Sequence, residues 1–95
     1  MKFWVTNLVE QESATIISHR VDMDATRDYL VRLHKDVTNW IWMDEKAIKL
    51  SWQIFLTQTK KGTSFVDCSN LAAIKIYHLD NILSFDSFYP IHFRV

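Results

Sequence analysis

Four histidines are the residues of this 95-residue sequence with the widest range of chemistry. They are spread along the chain as His19, His34, His78 and His92. No pair has the i,i+4 helical spacing or the Cys/His pattern by which a metal site is recognised in a sequence. Imidazoles without such spacing are far more often separate surface or partly buried side chains. The sequence therefore predicts no metal site and no cofactor.

Cys68 is the only cysteine. A nucleophilic cysteine needs a nearby base and an oxyanion hole, and the flanking residues contain neither a glycine-rich elbow nor a known signature. Because Cys68 has the same strand parity as Val66, we expect a buried side chain with a structural role. A single cysteine also excludes an internal disulfide and is typical of a reducing compartment, so the predicted location is the cytoplasm.

Two pairs of carboxylates are close enough in sequence to be considered for acid–base chemistry: Asp44 with Glu45, and Asp80 with Asp86. Such chemistry requires a pocket that shifts pKa values, whereas these residues stand in segments typical of solvated turns. Gly62 is the only glycine, so the chain has no phosphate-binding loop of the dinucleotide or P-loop type. The sequence predicts no catalytic residues, and it predicts that the protein is not an enzyme.

The aromatic residues are the most informative feature. Trp40, Trp42 and Met43 stand in the densest apolar patch of the sequence. Large rings usually fill a core, above all where glycine is scarce. When they are exposed on a sheet face, they provide the desolvated anchors of protein interfaces. We therefore predict that Trp40, Trp42 and Met43 bind a partner.

A second hypothesis is the recognition of RNA or single-stranded DNA by a small barrel. Aromatic rings stack on unpaired bases, and basic side chains contact phosphates. The candidate contacts are Lys60, Lys61, Tyr77 and Arg94, with Trp42 as a further stacking residue. Because 11 basic residues balance 11 acidic ones, nonspecific nucleic-acid binding is disfavoured, but a specific RNA site with few ion pairs is compatible with the sequence.

Length and composition indicate one folded unit. A chain of 95 residues is too short for a second core, so we predict a single domain over residues 1–95. The apolar fraction of 48% is that of a globular protein. Polar residues interrupt the amino terminus before a signal-type apolar run, and no segment approaches the roughly 20 apolar residues of a spanning helix. We expect a soluble protein without a membrane association.

Hydrophobic periodicity predicts one helix and several strands. The helix begins at Asp22 or Asp24 and ends near Val37, because its apolar residues recur three and four positions apart. Residues 2–10 and 14–21 are predicted to form a hairpin. The remaining predicted strands cover residues 40–43, 48–57, 65–68, 74–79 and, as an edge or bent strand interrupted by Pro90, 82–95. The turns between them are placed at residues 58–63 and 80–81.

These elements predict an α+β fold, a curved antiparallel sheet or small open barrel of about six strands in the order ββαββββ with one main helix. The predicted function is that of a small non-catalytic binding or regulatory protein, encoded by a phage or other mobile element. It modulates a macromolecular partner, first of all a protein, through an aromatic sheet face or an exposed strand edge. An unpaired edge also allows a homodimer.

Overall fold

The computed structural model describes residues 4–59, 63–79 and 82. Within these residues the chain forms β1 (Trp4–Thr6), α1 (Asn7–Arg20), α2 (Met23–Asp36), β2 (Asn39–Ile41), α3 (Glu45–Leu56) and α4 (Phe65–Tyr77). The two strands pair in parallel, with Val5 opposite Trp40. Ile82 adds an isolated parallel bridge to Trp4. The predicted antiparallel sheet or small open barrel with one main helix is therefore wrong.

The two strands separate two apolar clusters, because successive side chains of a strand point to opposite faces. Val5 and Trp40 face α1 and α2, and the buried members of that cluster are Val5, Val9, Ile17, Tyr29, Leu33 and Val37. Trp4 and Ile41 face α3 and α4, and the buried members of that cluster are Ile41, Met43, Ala47, Ala72 and Ala73. Helices thus cover both faces of a small parallel sheet, the usual arrangement when parallel strands are joined by helical crossovers.

The segment with the strictest alternation of apolar residues is a helix, α3, and not a strand. It begins after Asp44, whose side chain accepts a hydrogen bond from the backbone N–H of Ala47 at 3.0 Å. Its fully buried positions are the small residues Ala47 and Ser51, whereas Trp52 and Leu56 from the alternating set are 48% and 74% exposed. Small residues therefore mark the face of α3 that points inward. The large apolar residues indicated the two-residue period of a strand, which is wrong for this segment.

The two strands predicted between residues 65 and 79 are a single helix, α4. Ser64 and Asp67 form a reciprocal capping box at its start. Ala72 and Ala73 pack against α3, and their small side chains allow the two helices to approach closely. The helix ends at His78, which adopts a left-handed conformation with φ of 55°. Glycine is the usual residue at such a position.

The predicted amino-terminal hairpin is instead β1 followed directly by α1. Thr6 is the last strand residue and also the N-cap of the helix, since its Oγ1 accepts a hydrogen bond from the N–H of Val9 at 3.2 Å. On the buried face, Ser13 lies between Val9 and Ile17 and donates its hydroxyl proton to the carbonyl of Val9 at 2.6 Å. This buried hydroxyl interrupts the apolar stripe. The helix predicted after Asp22 is confirmed as α2, with Asp22 as its N-cap.

Other parts of the sequence prediction fall on residues that the structure does not describe. These are the hairpin tip at 60–62, the turn at 80–81 and the edge strand beyond Ile82. Of the short strand predicted at 40–43, residues 40 and 41 belong to β2, which runs parallel to its neighbour. The single-domain assignment stays a prediction. None of the described helices is long and apolar enough to cross a membrane.

Candidate functional site

A shallow cleft of about 280 Å³ lies between α1 and the first turn of α4. Its lining consists of Leu8, Gln11, Glu12, Thr15 and Ile16 from α1 and Val66 from α4. Glu12 is the charged residue of this lining, and its side chain is half-buried. The cleft therefore presents one carboxylate among apolar and neutral side chains, and its volume is near the lower limit of ligand-binding pockets.

The helical repeat of α1 places Glu12 in the cleft. Leu8, Glu12 and Ile16 are four residues apart and therefore follow one stripe of the helix surface. The neighbouring stripe, which contains Val9 and Ile17, is buried in the core. Because the core stripe fixes how α1 is rotated, it also fixes the side of the helix from which the Glu12 side chain extends.

A second carboxylate stands at the start of α4. Asp67 follows Val66, which lines the cleft, and its side chain is exposed. Its backbone N–H donates to Ser64 Oγ at 3.1 Å, and its carboxylate accepts from the N–H of Ser64 at 3.4 Å. A negative charge in the first turn is also favoured by the helix dipole. The two elements that border the cleft thus each carry an acidic residue, Glu12 on α1 and Asp67 on α4.

Cys68 comes next along α4 and is buried, as predicted from the sequence. Burial, and to a smaller extent the negative charge of Asp67, raises the pKa of its thiol. A thiol held in its protonated form is a poor nucleophile. We therefore do not include Cys68 in the candidate site.

Behind the site, a hydrogen bond joins the carboxyl ends of the two strands. Asn7 is the first residue of α1, and its Oδ1 accepts a hydrogen bond from the backbone N–H of Met43 at 2.7 Å. Both residues are buried. Since Asn7 directly follows β1 and Met43 lies two residues after β2, this bond holds the start of α1 to the segment that leads into α3.

In the described part of the chain, the other acidic residues and the histidines considered from the sequence lie at different positions and have different partners. Asp44 caps α3, and Glu45 pairs with Lys49 at 3.2 Å. His34 contacts the carboxylate of Glu10, His19 is exposed and His78 ends α4, while Asp80, Asp86 and His92 lie outside the described residues. Over residues 4–59, 63–79 and 82, no group of three or more His, Cys, Asp or Glu side chains could hold a metal ion. Glu12 and Asp67 have the oxygen ligands that Mg²⁺ prefers but are too few to define a site.

The three residues predicted to bind a partner do not form one exposed surface. Trp40 stacks on His34, with ring centroids 4.7 Å apart, and its Nε1 donates to the carbonyl of Val37 at 3.2 Å. Met43 is buried. Trp42, between them in sequence, is 74% exposed. Partner binding by this set stays a prediction, and only Trp42 presents its ring to solvent.

The predicted nucleic-acid contacts are only partly described by the structure. Tyr77 is the last residue of α4, and its side chain is exposed. Lys60, Lys61 and Arg94 lie outside the described residues, so their role stays a prediction.

Sequence reasoning missed both Glu12 and Asp67. A signal for Asp67 was present, because Ser64 and Asp67 have the capping-box spacing immediately before an apolar run. That pattern predicts a helix start where a strand was assigned. Glu12 had no comparable signal, since Gln11, Glu12 and Ser13 have the composition of a turn.

Comparison with known proteins reveals a structural relationship. No family model matches the sequence, and no curated protein is similar to it. The chain is similar to the crystal structure of Mycobacterium tuberculosis VapC20, described as a sarcin-ricin loop cleaving toxin, with a TM-score of 0.75 and 18% sequence identity. The match covers 99% of this chain and 72% of the VapC20 chain. At this level of identity the likeness shows the fold alone, which is VapC-like.

This likeness overturns the predictions that the protein is a non-catalytic, protein-binding regulator and that it is not an enzyme. The shared fold is that of a toxin that cleaves an RNA loop, which is a catalytic activity. The antiparallel sheet face on which protein binding was expected is also not present among the described residues, whose strands are parallel and covered by helices. Neither the small barrel nor the antiparallel sheet is therefore a basis for function.

Proposed function

We propose that this chain acts on RNA as a ribonuclease-type toxin. The observation that supports the proposal is the likeness of 99% of the chain to VapC20, at a TM-score of 0.75. RNA was also a binding partner in the second hypothesis drawn from the sequence, the recognition of RNA or single-stranded DNA, but the present proposal depends on a different fold and on different residues. A homodimer and a cytoplasmic location stay predictions.

The Glu12 cleft is the proposed catalytic site. Cleavage of a phosphodiester requires that a proton be taken from the attacking hydroxyl or water and that charge on the phosphate be stabilised. The half-buried carboxylate of Glu12, among Leu8, Ile16 and Val66, is placed to accept that proton or to orient the nucleophile. Asp67, the residue after Val66 in the first turn of α4, supplies a second carboxylate. The described residues bring together too few ligands to specify a metal ion, so no step is assigned to one.

The test is a cleavage assay on an RNA stem-loop with the sarcin-ricin sequence, in buffers with Mg²⁺, with Mn²⁺ and with a chelator. The wild-type protein is expected to cut at a defined position. Glu12→Gln is expected to lower the cleavage rate by about 100-fold or more, the usual contribution of a general acid or base. Asp67→Asn removes a negative charge from the first turn of α4 while an amide oxygen can still accept from the N–H of Ser64. We therefore expect a slower rate together with a small loss of stability, about 0.3–1 kcal/mol from the lost interaction with the helix dipole.

Asp24→Asn is the matched control for Asp67→Asn. Asp24 is likewise an exposed aspartate in the first turn of a helix, α2, where it pairs with Arg27 at 3.0 Å. It does not line the Glu12 cleft. This variant is expected to cleave at the wild-type rate. Intact RNA under all three conditions, or equal rates for wild type and Glu12→Gln, would contradict the proposed function.

A further inference from the structure

Trp42 is an exposed ring on a rigid main chain. Its neighbours Ile41 and Met43 are both buried, and the N–H of Met43 is held by Asn7 at 2.7 Å. Asp44, two residues later, is fixed as the N-cap of α3. A ring on a backbone held from both sides loses little further conformational freedom on binding. The main chain that carries Trp42 is therefore already in place for contact with a ligand.

A groove of about 600 Å³ follows α3, beginning at the residues just after Trp42. Its polar lining includes Lys46, Lys49 and Gln53, and Leu50 and Ile76 contribute apolar surface. The three polar residues are spaced three and four positions apart, so they share one face of the helix. The volume is within the usual range of ligand-binding clefts.

The acidic residues of the groove are already engaged. Asp44 accepts a hydrogen bond from the N–H of Ala47 at 3.0 Å, and Glu45 pairs with Lys49 at 3.2 Å. Lys46 makes no salt bridge with any residue in the described part of the chain. The groove thus offers the ammonium group of Lys46, which has no carboxylate partner in that part of the chain, and the amide of Gln53. The exposed Trp42 precedes the lining residue Asp44 by two positions in the chain.

We propose that Trp42 and the α3 groove bind a single-stranded segment of the RNA on which the protein acts. This inference rests on the proposed function and adds a binding surface apart from the Glu12 cleft. The indole stacks on an unpaired base, Lys46 contacts a phosphate, and Gln53 donates to or accepts from a base edge. Because two lysines balance two acidic residues in the groove, affinity is expected to come mainly from stacking and to depend weakly on salt.

The test is fluorescence anisotropy with a labelled sarcin-ricin stem-loop and a labelled single-stranded RNA, at low temperature without divalent cations and at two salt concentrations. Trp42→Ala is expected to raise the Kd about fivefold or more, the lower end of the effect of losing one base–aromatic stack. Trp42→Phe, which keeps a ring, is expected to recover most of the affinity. Lys46→Gln, which leaves the ring untouched, is expected to reduce the slope of log Kd against log salt by about one.

Trp52→Ala is the matched control. Trp52 is a partly exposed tryptophan on α3, but it packs on Phe55 and Phe65, with ring centroids 5.9 and 4.3 Å away. Its loss is expected to leave RNA affinity unchanged. Equal Kd values for wild type and a folded Trp42→Ala protein, or an equal loss of RNA affinity in Trp52→Ala, would contradict RNA binding by Trp42 and the α3 groove. The proposal that the protein acts on RNA would stand in that case. Absence of RNA binding by the wild type at low salt would overturn the proposed function and this inference together.

Discussion

Replacing Asn7 with Ala tests the hydrogen bond that joins the ends of the two strands. In the folded protein, Asn7 Oδ1 accepts from the N–H of Met43 at 2.7 Å, and both residues are buried. In the variant that N–H loses its acceptor at a position from which water is excluded. The strands share only the pairs from Trp4–Asn39 to Thr6–Ile41, so this bond is a large part of their connection.

The expected loss can be worked from two opposing effects. A buried N–H without an acceptor costs about 1–3 kcal/mol. Ala favours a helix over Asn by about 0.5 kcal/mol, which offsets part of that cost. The free energy of unfolding is therefore expected to fall by about 1.5 kcal/mol. For a domain of this size each kcal/mol lowers the melting temperature by about 4–8 °C, so the drop is roughly 6–12 °C.

Thermal and urea unfolding followed by far-UV circular dichroism measure this loss. The urea m-value is expected to stay the same, because the surface exposed on unfolding is nearly unchanged. Gln11→Ala is the control, since Gln11 is an exposed residue on the same helix. It is expected to stay within about 0.5 kcal/mol of wild type. An Asn7→Ala protein as stable as this control would refute the role assigned to the bond.

Two further predictions concern stability. Ala47→Leu adds volume to the buried contact between α3 and α4, so urea unfolding is expected to show that the free energy of unfolding falls by about 1–3 kcal/mol. Gln53→Leu, at an exposed position of α3, is the control. Equal stabilities of these two variants would contradict the close contact between the helices. Burial raises the pKa of Tyr29, the negative charge of Glu10 raises it further, and a hydrogen bond with Ser13 opposes the shift. The folded protein then keeps the phenol proton at pH values where the unfolded chain releases it, so its contribution to stability is complete below about pH 10 and is lost as the pH rises further. Melting temperatures from pH 8 to 11 are expected to fall less in Tyr29→Phe than in wild type, and identical declines would contradict this reasoning.

The sequence predicts α2 because the large apolar residues of that helix point inward. Tyr29 and Leu33 are buried, and Asp28 and Arg32 form a surface pair at 3.5 Å. Helices α3 and α4 have the reverse arrangement. Their buried residues are mostly small, among them Ala47, Ser51 and Ala72, while large apolar residues such as Leu56 and Leu71 are exposed. Periodicity analysis weights side chains by their hydrophobicity, so it followed the outward residues and gave the wrong secondary structure.

The candidate site was harder to predict because it depends on a tertiary contact. Glu12 and Val66 are far apart in sequence, and their meeting depends on how α4 packs against α1. Only the start of α4, at Ser64 and Asp67, carried a local signal. Trp42 was named from the sequence as a candidate binding residue together with Met43. The alternation of side chains along a strand could not show that Met43 is buried and Trp42 exposed, because β2 ends at Ile41 and the alternation does not continue beyond it.

The double role of Thr6 fixes the phase of α1 relative to the sheet. Because the strand passes into the helix without a spacer, the direction of every α1 side chain is set by the pairing of β1 with β2. One residue inserted after Thr6 would rotate the rest of α1 by about 100°, the turn made by each helical residue. Val9 would leave the core and Glu12 would leave the cleft in the same step. The junction therefore constrains the length of the chain at this point as strictly as the identity of its residues.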